Sequence, residues 1–168
     1  MKVWRISIPV MLAAASPVLS RSDDPSSSAL AFFDALRTGD SAAVDSLASS
    51  QALEVVELML ADLRNSLRND RDATMTRLRA AGYPADAGEP DEWTPREYLR
   101  LTVSLPIMTA RYSTYSMEIT GESRSGRRAT LSVTFTGSSG IEIPSVVVLE
   151  EEDGIWKVSS FMGLNSFP

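Results

Sequence analysis

Apolar residues recur at helical spacing as far as Leu105, and from Ile107 onward they alternate with polar ones. A change of period from about 3.6 to 2 within one chain predicts an α+β protein, with helices first and strands last. Four-residue alternations such as Ala129, Leu131, Val133 and Phe135 against Thr130, Ser132, Thr134 and Thr136 are half-buried strands. Short turns join the strand segments, so the second half reads as an antiparallel meander of four strands.

The helical half is punctuated by its own capping chemistry. Asp24-Pro25 opens a first helix carrying Leu30, Phe33 and Leu36, and Gly39 closes it. Asp40 caps a second short helix with Ala43, Val44 and Leu47. From Ser50 a third shows the clearest stripe: Ala52, Val55, Val56, Met59, Leu60, Leu63 and Leu67. The polar stretch 65–72 allows either one bent helix or two abutting helices, ended by Gly82-Tyr83-Pro84. Residues 83–93 read as a loop. Thr94-Pro95-Arg96-Glu97 combines a capping box with a proline at the first helical position, and Pro106 is expected to stop the helix it opens. Strands are expected near Tyr115–Ile119, Ala129–Thr136, Ile141–Leu149 and Ile155–Met162, with turns at 121–126, 137–140 and 150–154.

The chain contains neither histidine nor cysteine. That removes the commonest general base, the commonest activated nucleophile pairs and most transition-metal sites, and it leaves the core to hold the fold without disulfides. The N-terminus is of another character. Lys2 and Arg5 precede an apolar run from Ile6 to Leu19, and Val18-Leu19-Ser20 ends on a small residue. This order predicts a secretory signal peptide over residues 1–20, followed by a single domain over 21–168. With no cysteine, a lipoprotein anchor is excluded. Cleavage would remove Lys2 and Arg5 and no acid, taking the net charge from −6 to −8. Such a surface repels nucleic acid and anionic lipid, so neither is expected as a partner, and contact with a membrane is expected only during export. The expected location is periplasmic or secreted.

Two segments, Ala31-Phe32-Phe33-Asp34-Ala35-Leu36-Arg37-Thr38-Gly39-Asp40 and Asp153-Gly154-Ile155-Trp156-Lys157-Val158, resemble those of the nuclear-transport-factor-2-like, or ketosteroid-isomerase-like, superfamily. The resemblance implies a cone-like domain in which the N-terminal helices pack on a curved four-stranded antiparallel sheet. It also implies a choice of roles, since that superfamily includes isomerases, dehydratases and cyclases as well as members that only bind. Such enzymes tend to place an acid or base and a tyrosine inside the cone.

No inward carboxylate emerges from strand alternation: Glu118, Glu142 and Glu150 fall on the solvent side or at strand ends. Asp34, Asp45 and Asp62 lie off the apolar stripes of their helices and read as solvated or capping residues. Arg111 is placed on the inner face of the first strand with Tyr115, Met117 and Ile119. The run Glu150-Glu151-Glu152-Asp153 lacks the spacing of a calcium loop, and no phosphate loop or dinucleotide fingerprint is present. No cofactor or metal is expected. The reading is of an exported, non-catalytic binding or accessory domain whose concave face could hold a small hydrophobic ligand. Leu60, Met117, Val133, Phe135 and Trp156 would line that site, and Tyr98 or Tyr115 would supply its polar contact. A carboxylate- or tyrosine-based isomerase or lyase, and a homodimeric or envelope-protein interaction module, stay open as alternatives.

Overall fold

Asp24 starts the described structure and its first helix together: its side chain accepts a hydrogen bond from the Ser27 amide, and Pro25 fills the first helical position. The computed structural model describes residues 24–161, so the expected signal peptide and the last residues of the chain lie outside it. Six helices precede the sheet: α1 (Pro25–Thr38), α2 (Ser41–Leu47), α3 (Ser50–Asn69), α4 (Arg71–Ala81), α5 (Pro95–Val103) and α6 (Pro106–Ser113). The sheet is β1 (Tyr115–Ser125), β2 (Arg128–Gly137), β3 (Glu142–Glu152) and β4 (Ile155–Ser160), all antiparallel neighbours in that order. This is the α+β architecture expected, with an open sheet. No described helix is long and apolar enough to cross a membrane.

Capping residues set the helix boundaries. Gly39 ends α1 at φ 72°, and a Cβ there would sit 2.9 Å from the Thr109 hydroxyl of α6, so both the backbone angle and the close approach require glycine. Asp70 ends α3 and caps α4 through the Ala73 amide, which settles the 65–72 stretch as two abutting helices. At α5 both halves of the capping box form, with Thr94 accepting from the Glu97 amide and Glu97 accepting from Thr94. These bonds to the Thr94 amide and hydroxyl hold the Glu97 carboxyl below its ordinary range. A carboxyl depressed in this way stabilises the fold above its unfolded pKa, and that contribution disappears as pH falls through the folded value. Thr94→Ala removes the side-chain acceptor of the Glu97 amide and should cost about 1 kcal/mol of stability. The stability gap between the wild type and Glu97→Ala should close on acidification below the carboxylate range, as read from urea melts across pH; a gap independent of pH would refute the capping account.

Two expectations change at the junction of the halves. Pro106 does not merely stop α5: it occupies the first position of α6, with Leu105 as its N-cap. Residues 106–113 are therefore helical, and Arg111 lies exposed on α6 instead of on a strand. The turns are also tighter than expected. β1 continues to Ser125 and β3 to Glu152, leaving two-residue turns at Gly126-Arg127 and Asp153-Gly154. Pro144 lies in β3 opposite Thr134, in the stretch before β4 pairing begins at Val148, so its missing amide is unused on that free side.

Register sets the inner face. Met117 opposes Phe135, Ile119 opposes Val133, Leu131 opposes Val147 and Ala129 opposes Leu149. α1 packs across β1, β3 and β4, while α2 and α3 reach β4. The linker between α2 and α3 also pairs with the sheet edge, since the Ser49 amide donates to the Val158 carbonyl. Arg124 of β1 reaches across the sheet to lie over the Trp156 ring of β4, 5.8 Å from its centroid.

A bulge lies between Ile119 and Gly121. One extra residue inverts the faces beyond it. Glu122 then opposes Leu131 and Arg124 opposes Ala129, on the side that α1 covers. Glu122 accepts from the Ser26 hydroxyl and pairs with Arg124, which also reaches Asp24. Strand alternation alone therefore missed that the exposed Glu122 shares a face with Leu131, at the end of the sheet where α1 begins.

Candidate ligand site

The concave face is occupied by rings. Phe135 meets Phe33 at 5.5 Å and Phe161 at 5.6 Å, both edge to face, and Phe161 also packs on Phe32 and Tyr112. Of the residues expected to line a pocket there, Leu60, Val133 and Phe135 are fully buried within the core. Met117 and Tyr115 follow one another on the inner side of β1 and are partly buried; Tyr115 lies against Gly137. Trp156 is buried beneath Arg124 at the hairpin end. Tyr98 is elsewhere, on α5, where it stacks with Tyr83 and Trp93. The sheet thus gathers Met117, Val133 and Phe135, and Tyr98 belongs to a separate aromatic group.

That group is built by the loop after α4. Tyr83, Trp93 and Tyr98 have nearly parallel planes and centroids 5.6–6.3 Å apart. Their polar atoms are engaged: the Tyr83 hydroxyl bonds with that of Thr102 at 2.8 Å, and the Trp93 indole N–H donates to the Ala87 carbonyl. Arg64 of α3 donates to the Trp93 carbonyl and pairs with Glu57, while Arg71 holds the loop through Glu89 and Asp91. Burial raises the Tyr83 phenol far above its usual range, and burial raises Tyr98 as well. Both remain neutral at physiological pH and serve as packing groups, not bases.

α4 is thinly packed, with Thr74 its single buried residue. Between it, α3 and the Tyr83 ring a half-open cleft of about 150 Å³ remains, lined by Leu63, Ser66, Thr74, Arg77, Leu78, Ala81 and Tyr83. A smaller hollow on the far side of Leu78 and Tyr83 runs towards Trp93. Neither lining contains Asp or Glu. Sequence periodicity could not find this cleft, because it lies between two helices whose packing distance no local pattern encodes. The one available signal was a Pro- and Gly-rich loop bracketed by two large aromatics, Tyr83 and Trp93, which marks an anchored loop.

Asp45 corrects another expectation. It is buried, and its oxygens accept from Arg96 at 2.5 Å and from Arg100 at 2.8 and 2.5 Å. With both oxygens held by guanidinium groups from α5, it ties α2 to α5. Among the described residues no group of three or more acids could hold a metal ion. No family model, curated protein or solved structure matches this chain.

Proposed function

We propose that the chain is an exported, non-catalytic binding domain for a small hydrophobic ligand, and that the cleft between α3 and α4 is its site. The leader-like N-terminus supports export, and the resemblance to the nuclear-transport-factor-2-like superfamily supports a binding role on a scaffold of this type. The observation that carries the reading is the cleft itself: an apolar floor of Leu63, Leu78, Ala81 and Tyr83, half open to solvent, with no carboxylate in its lining. The ring-filled concave face favours this cleft over the sheet interior. An acid–tyrosine isomerase or lyase gains no support from it, since the Tyr83 hydroxyl is turned to Thr102.

A panel of indole, benzyl alcohol and hexanol tests the reading by thermal shift and by amide NMR mapping. At ten times its dissociation constant a bound ligand stabilises by about 1.4 kcal/mol, or about 4 °C for a domain of this size. The expected result is such a shift, with perturbations centred on Leu78, Ala81 and Tyr83. No shift for any of the three, and none for the matching acids benzoate and hexanoate, would remove the reading.

A further inference from the structure

The polar end of the cleft consists of donors. Thr74 is 2% exposed, and its hydroxyl accepts from the Arg77 guanidinium at 3.0 Å. Among the described residues no acceptor takes the Thr74 hydroxyl proton, and no carboxylate pairs with Arg77. The Thr74 oxygen is engaged as an acceptor, and its proton is available to an acceptor on a ligand. Arg77 itself is exposed at the mouth, its remaining N–H groups free to turn towards the cleft. The Ser66 hydroxyl spends its proton on the Asp62 carbonyl, leaving no second demand on a ligand there.

Residues 64–81 hold five arginines against two aspartates, in a chain whose net charge is −6. Arg64 and Arg71 are committed to Glu57, Glu89 and Asp91, whereas Arg68 donates to the Asn65 amide oxygen and among the described residues forms no ion pair. Arg77 is the one charged residue in the lining of the cleft, and a cation there with no described carboxylate partner favours an anion from solution. The apolar part sets the size: a cavity of about 150 Å³ takes one benzene ring.

We infer that the ligand of this cleft is a small amphipathic carboxylate, with one aromatic ring or about six carbons in its apolar body. Its apolar part lies on Leu63, Leu78, Ala81 and Tyr83. One carboxylate oxygen accepts from the Thr74 hydroxyl and the other from Arg77, a charge-assisted pair of bonds that a neutral isostere cannot make with equal strength. This rests on the reading of the cleft as a binding site and adds the class of ligand.

Calorimetry and amide NMR with matched pairs, benzoate against benzyl alcohol and hexanoate against hexanol, test it at neutral pH and low salt. The expected result is about tenfold tighter binding of each acid than of its alcohol, narrowing as salt screens the pair. Arg77→Gln and Thr74→Val should bring the acids down to the alcohols. Arg79→Gln, which removes a neighbouring charge outside this cleft, should leave the preference intact. Thermal melts establish that each variant is folded, and Arg77→Gln alters an exposed side chain, so it keeps the test decisive if Thr74→Val unfolds. Equal binding of acids and alcohols overturns the carboxylate inference while the cleft reading survives. A preference lost equally in Arg79→Gln overturns it too, because the attraction would then be diffuse. Failure of all four compounds to bind overturns both.

Discussion

Replacing Arg96 and Arg100 together with alanine should cost about 3–5 kcal/mol of folding stability, a large share of what a domain of this size possesses. The reason is an asymmetry in exposure. The Asp45 side chain is 5% exposed, whereas those of Arg96 and Arg100 are 50% and 55% exposed. Removing both arginines leaves a carboxylate inside the protein with no opposite charge, and the desolvation of that charge is then uncompensated. Removing Asp45 instead leaves two guanidinium groups that can swing into water, so Asp45→Ala should cost only about 1–3 kcal/mol. Adding Asp45→Leu to the double variant should recover more than half of the loss, because the stranded charge is gone and the volume is kept. Urea melts of the four proteins decide it. A double variant within 1 kcal/mol of wild type would show that the α2–α5 ion pair does not hold these helices together.

Phe135→Ala should cost a comparable amount, about 3–5 kcal/mol. Phe135 is fully buried and meets Phe33 of α1 and Phe161 edge to face, so its removal opens a hole where the helical layer, β2 and the residue following β4 converge. The control lies on the same sheet. Val146 in β3 is on the outer face and 49% exposed, and Val146→Ala should stay within about 0.5 kcal/mol. If the two variants melted alike, the concave face would not be the core that its register indicates.

The elements that could be read from the chain are those whose cause is local. Asp24, Asp40 and Thr94 cap the helices that follow them because a side-chain oxygen and an amide three residues on are already neighbours. Phe135 and Val133 face inward because side chains alternate along any strand. The errors share a cause. Pro106 fits both the end of one helix and the start of another, and only packing decides between them: α6 settles against α1 and β1. The Thr120 bulge moves Glu122, still exposed, to the face of the sheet that α1 covers, a change of one residue that composition does not announce. Asp45 looks like a solvated residue until Arg96 and Arg100 arrive from more than fifty positions later.

Periodicity and capping chemistry, both acting over a few residues, determined from the sequence that this protein is α+β, helices first, with a greasy inner sheet face. The tertiary structure alone decided that Phe33 and Phe161 fill that face, that a carboxylate is buried between α2 and α5, and that a cleft with Thr74 and Arg77 at its polar end opens beside α4. Each of those depends on atoms far apart in the chain, and the distance between two packed elements is a property of neither element alone.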